Sequence, residues 1–170
     1  LYGMQSVSIP NGVKHIDPDA FEYSLLHHIT IPSSVTHIAS RAFNFNALRS
    51  VMILESEVDL KLDPDVFANN FFLSNVTILA KKVTMGEGVF TATNVTRIVF
   101  SRSVSVLDGL PSPMDKAYTC ENNKCGCQQG YENLMPQSSQ MFTCTACEPG
   151  FSNSIIAHQG LCLPCTAGTY

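Results

Sequence analysis

Seven cysteines are the residues of this chain most able to do chemistry, and all of them, Cys120, Cys125, Cys127, Cys144, Cys147, Cys162 and Cys165, fall in its last 51 residues. Cys144-x2-Cys147-x14-Cys162-x2-Cys165 has the spacing of a four-thiolate zinc site, where two close pairs supply the corners of a tetrahedron. The same residues can instead form disulfides, which hold together small modules with too few apolar side chains for a core. Redox exchange through Cys162-Leu-Pro-Cys165 is a third chemistry, but no strand-helix pattern surrounds it to make the thiolate reactive. Cys125-Gly-Cys127 adds a further pair, and Cys127, Cys147 and Cys165 are each followed three residues on by glycine and then by an aromatic residue. With the two N-glycosylation triplets Asn75-Val-Thr77 and Asn94-Val-Thr96, which act only in a secreted chain, this favours disulfides and keeps zinc as the alternative.

Other reactive residue types do not gather into a site. Asp17-Pro-Asp19 and Asp63-Pro-Asp65 could be calcium carboxylates, but Asp-Pro reads more simply as the start of a helical turn, with Asp17 as cap and Pro18 in first position. His15 and His37 share one column that Lys61 and Val106 continue, which is a solvated flank rather than a metal site. His27 and His28 sit beside a strand. No Ser-His-Asp or Cys-His set is placed by any spacing, and Gly86-Glu-Gly88 is too short to cradle phosphate, so no enzyme and no cofactor are expected. A net charge of −4 argues against phosphate-backbone binding, hence against nucleic acid. No apolar run is long enough to span a bilayer, which leaves membrane attachment to a segment outside this stretch.

The elements that position these residues come from a repeat. Val7, Ile9, Pro10, Val13, His15, Ile16, Ala20, Phe21 and Leu26 recur 22 residues later as Ile29, Ile31, Pro32, Val35, His37, Ile38, Ala42, Phe43 and Leu48. A period of this length with aliphatics at set positions describes a solenoid, whose units bury their apolar faces only by stacking. Val7 and Ile9 alternate as a strand that Pro10 ends; Val51 and Ile53 hold the third strand, and Leu62-Asp-Pro-Asp-Val-Phe67 restates Ile16-Asp-Pro-Asp-Ala-Phe21. Val76 and Ile78, then Ile98 and Phe100, complete five strands in one parallel ladder. Residues 1–109 therefore form the solenoid, 110–117 a linker rich in turn formers, and 118–170 a cysteine-rich module.

Ile29-Thr-Ile-Pro-Ser-Ser-Val-Thr-His-Ile38 followed by Arg41-Ala-Phe43 resembles the leucine-rich repeats of BspA-like surface proteins, although Ala39 stands where glycine is usual. That resemblance implies short parallel strands joined by helical or irregular turns, in an extracellular or cell-surface scaffold that binds a protein or glycan. The Cys-x-x-Gly-aromatic echo is similar to epidermal-growth-factor-like modules, and Cys162-x-Pro-Cys-x-Ala-Gly-Thr-Tyr170 resembles ephrin-receptor-like or tumour-necrosis-factor-receptor-like cysteine-rich repeats. Carried over, the likeness implies the pairs Cys120–Cys125, Cys127–Cys144 and Cys147–Cys162, with Cys165 joined to a partner outside the chain.

Binding residues follow from strand alternation. If the paired aliphatics point inward, the residues beside them point out together. One outward column is then Ser6, His28, Ser50, Asn75 and Arg97, and the next is Ser8, Thr30, Met52, Thr77 and Val99. His28, Thr30, Ser50, Met52 and Arg97 are the expected ligand contacts, while a glycan on Asn75 would stand on the same face and one on Asn94 elsewhere. Adhesion or receptor display is the leading function; a structural stalk, or an intracellular zinc-dependent interaction protein if the cysteines are reduced, are the alternatives.

Overall fold

The computed structural model describes residues 5–101, 103, 104, 106–110, 118–121, 124–127, 131–133, 141–146, 151, 152, 163 and 164. Two short strands per coil arise because each coil carries two apolar stretches. The first stretch gives β2 (His28–Ile31), β4 (Ser50–Ile53), β6 (Asn75–Ile78) and β8 (Val99–Ser101). The second gives β1 (His15–Ile16), β3 (His37–Ile38), β5 (Asp59–Leu62), β7 (Lys82–Met85) and β9 (Val106–Asp108). One sheet runs β1-β3-β5-β7-β9, all parallel, and the other runs β2-β4-β6-β8, also parallel. The expected single ladder is thus two. The second was missed because its first strands are two residues long and show no alternation to read.

The third side of each coil is where the helical turn was expected, and no helix forms among the described residues. Asp19, Arg41 and Asp65, each two residues into the turn or just beyond, hold left-handed φ values of 58–60°, and Gly88 takes 70° in the same column. Four residues on, Tyr23, Phe45, Asn69 and Ala92 do so again at 50–56°. A left-handed residue cannot propagate a right-handed helix. The amides instead alternate in purpose: Phe21 donates to Ala42 O at 2.8 Å and Phe43 to Val66 O at 3.0 Å, in the next coil, while Glu22 and Asn44 close tight turns onto Asp19 O and Arg41 O. Asp17 contributes its backbone carbonyl to Ala20 rather than acting as a side-chain cap.

Inside, Phe21, Phe43, Phe67 and Phe90 form one stack with ring centroids 5.2, 5.5 and 5.8 Å apart and planes within 14° of parallel. Beside them Asn46 and Asn70 fill a polar column. The Asn70 side-chain oxygen accepts the Leu48 amide at 3.1 Å while its nitrogen donates to Phe43 O and Phe67 O at 3.0 and 2.9 Å; Asn46 treats Leu26, Phe21 and Phe43 alike. These buried backbone groups would otherwise lack partners.

The two ends of the solenoid differ. At the start, Val7–Ile9 does not become a strand: only a Ser6–His28 bridge forms. Pro32 stands where Leu54 stands one coil later, and Leu54 donates its amide to Ile31 O at 3.0 Å. Proline has no amide to give, so the ladder to the first coil stops. At the other end lie β10 (Tyr118–Glu121), β11 (Lys124–Cys127), β12 (Tyr131–Asn133), β13 (Met141–Phe142), β14 (Cys144–Ala146), β15 (Phe151–Ser152) and β16 (Leu163–Pro164). Strand β13 pairs antiparallel with β8, Met141 against Ser101 and Phe142 against Phe100. A disulfide joins Cys127 to Cys144, both buried in the same apolar core as the coils. The register of β10 and β11 sets Cys120 opposite Cys125. Cys147, Cys162 and Cys165 lie outside the described residues, as does most of the 110–117 linker.

Candidate functional site

The outward face of the β2-β4-β6-β8 sheet is built as two columns. Register puts His28 beside Ser50 and Ser50 beside Asn75, and it puts Thr30, Met52, Thr77 and Val99 in a row. Burial alternates along each strand: in β2, Ile29 and Ile31 are buried while His28 and Thr30 are not fully covered. His28 Nδ1 and Ser50 Oγ lie 2.7 Å apart, and Met52 is 44% exposed. Arg97 is exposed two residues before Val99, just ahead of β8. Four of the five expected contacts, His28, Thr30, Ser50 and Met52, are therefore adjacent on one patch, and Arg97 stands at its far end. Exposed Asn75 occupies the middle of the first column, whereas Asn94 lies on another side with its amide donating to Phe71 O at 2.8 Å.

The other sheet has a different outward chemistry. Its column reads His15, His37, Lys61, Thr84, Asp108; Val106 pairs with Lys82 and so does not continue it, because β7 and β9 pair two residues further along than the repeat spacing suggests. His15 and His37 rings meet edge-on at 5.8 Å. His37 Nε2 and Lys61 Nζ each reach a different oxygen of Asp63, at 2.9 and 2.7 Å. The Lys61 hydrogen bond holds the Asp63 carboxyl below its ordinary range, against the opposite push of burial, with His37 adding to the effect. Lys82 pairs with Asp59 and Lys81 with Glu57, and on the turn side Arg41 grips Asp19 through two bonds of 2.9 and 3.1 Å. This face spends its charges on itself. Among the described residues no ion pair crosses the β2-β4-β6-β8 face, and no three His, Cys, Asp or Glu side chains converge as a metal would require.

Sequence reasoning missed one surface. Tyr23, Phe71 and Phe72 are 57–65% exposed, with Leu25 and Phe45 nearby in the turn side at 45% and 38%. Tyr23 stacks on Phe45 at 4.9 Å, and the Arg49 guanidinium lies 5.8 Å from the Phe72 ring. The available signal was Phe71-Phe72, an aromatic pair at the point where the coil lengthens.

Residues 2–109 match a family model described as the BspA type leucine rich repeat region, in six copies against the five units read from spacing. No curated protein and no solved structure matches the chain.

Proposed function

Since the chain belongs to the BspA-type leucine-rich repeat family, we propose that it is a non-catalytic binding module of a surface-displayed or secreted protein, which engages a protein or glycan through the outward face of the β2-β4-β6-β8 sheet. The observation that carries this reading is the contrast between the two sheets. Outward groups of the β1-β3-β5-β7-β9 sheet neutralise one another through Lys61, Asp63, His37, Lys82 and Asp59. The opposite face offers hydroxyls, an imidazole, a thioether and Arg97, uncrossed by ion pairs among the described residues and at strand spacing. The short side chains of this row, Thr30, Ser50 and Thr77, freeze few rotamers on contact, which suits recognition.

The Cys127–Cys144 disulfide supports an oxidising compartment, where such bonds persist. The test is binding of the 170-residue chain to extracellular-matrix proteins and to a glycan array, repeated with Met52→Ala, Thr77→Ala and Arg97→Ala. Loss of binding in these variants, with folding intact, is the expected result. Unchanged binding in all three would remove this face from consideration and favour a spacer role.

A further inference from the structure

At the start of the same face the first coil parts from β2 and leaves a cleft of about 360 Å³. In a parallel ladder, the peptide groups of alternate residues turn to opposite neighbours. Those of Ile31 turn toward β4, as the Leu54 amide on Ile31 O shows, so those of Thr30 turn toward the first coil. That side of the ladder ends at the Ser6–His28 bridge, and Pro32 cannot extend it. Among the described residues no backbone bond meets the Thr30 N–H and C=O there. A donor and an acceptor thus sit side by side at the wall of an open cleft.

The cleft wall carries further neutral hydrogen-bonding groups. Ser6, Ser8 and Thr30 bring hydroxyls, which both donate and accept, and Asn11 brings an amide. Among the described residues His28 is the only titratable one in the lining, which holds no carboxylate, lysine or arginine. A neutral ring whose Nδ1 accepts the Ser50 hydroxyl carries its proton on Nε2 as one more donor. Aliphatic carbons of Val7, Ile9 and Leu54 complete the lining.

We propose that this cleft, between the first coil and β2, binds a single neutral sugar residue, free or at the end of a glycan. The proposal deepens the reading of the face as a binding surface and rests on it. A sugar presents hydroxyls that donate and accept in turn, beside a C–H face, and the lining offers the complement of both. An anion or cation would enter without a counter-charge, which is costly in a partly enclosed site. An extended peptide adding to the β2 edge needs a run of open peptide groups, whereas only Thr30 is open between the His28 bridge and Pro32. The volume falls at the low end of small-molecule sites, which span about 300–1,000 Å³.

The experiment titrates the 170-residue chain with glucose, galactose, mannose and N-acetylglucosamine, observed by saturation-transfer NMR, and in parallel with a peptide of the sequence of residues 48–55. At least one sugar should bind, and Ser8→Val and Asn11→Ala should each weaken it about fivefold, the worth of one neutral hydrogen bond. Lys82→Ala and Phe72→Ala, on the other sides of the coil, should leave sugar affinity unchanged. Binding by none of the four sugars overturns the proposal, as does binding of the peptide in their place. Sugar binding that responds to Met52 and Arg97 but not to Ser8 and Asn11 also overturns it, while leaving the broader face as the binding surface.

Discussion

Asn70 is completely buried, and its one side chain satisfies four backbone groups belonging to two coils. Asn70→Ala leaves the Leu48 amide and the Phe67 carbonyl without that partner, while the Phe43 carbonyl keeps Asn46, and each orphaned buried group costs roughly 1–3 kcal/mol. Urea unfolding should show a loss of about 3 kcal/mol; a loss under about 1 kcal/mol would mean that the column is not what joins the coils there. At Asp63 the effect is one of pH. Its carboxyl is held below the ordinary range in the folded chain, so its contribution is complete above the unfolded value of about 4 and fades as pH falls through the folded value. The stability difference between the parent chain and Asp63→Asn should therefore be flat above about pH 5 and shrink below about pH 4. A difference that instead grows on acidification would contradict the pairing with Lys61. Neither role was plain in the sequence. Asn70 lies 24 residues after Asn46 rather than 22, and Asp63 read as a turn former until its neighbours in space were known.

At the scale of elements, what repeats at close to one spacing was legible and what depends on backbone conformation was not. The 22-residue echo fixes the His28–Ser50 register, and the apolar pair Val76–Ile78 recovers β6 across the lengthened third coil. The helical turn failed because Asp-Pro-Asp is equally suited to a tight turn, and the deciding feature, a left-handed residue at Asp19, Arg41 and Asp65, shows as glycine only at Gly88. The strand expected at Val7 failed because proline at 32 acts on the neighbouring coil, which a reading along one chain segment does not weigh. Corners are equally exacting. Gly86 follows Met85 at the corner after β7, its amide on Leu62 O of the neighbouring coil at 2.7 Å, and an added Cβ would come within 2.6 Å of the Pro64 backbone nitrogen. Gly86→Ala must push two coils apart, and a cost of about 2 kcal/mol is expected from overpacking. An unchanged urea midpoint would show that the corner has room to shift.

For the whole molecule the decisive feature among the described residues is that the β2-β4-β6-β8 sheet is covered at its β8 edge and not at its β2 edge. Strand β13 pairs with the outer edge of β8, and Cys144, two residues later, is tied to Cys127 at the end of β11, with both sulfurs inside the core. Parallel coils growing head to tail need an open strand edge at each end, and a heterologous contact of that kind extends without limit when both are present. Among the described residues the β8 edge is covered and the β2 edge is not, and on the first coil's side Val7, Ile9, Val13 and Phe21 are partly buried at the end of the core. Self-association should then stop at a pair of chains meeting by their first coils. A chain ending at Leu110 loses β13 and both cysteines, which uncovers the β8 edge beside Ile98 and Phe100 and makes the two ends complementary. Sedimentation velocity at rising concentration should show monomer and dimer for the 170-residue chain, and a continuous series of larger species for residues 1–110. Identical distributions for the two would show that β13 does not close the stack, and that growth is limited by the mismatch of the first coil itself.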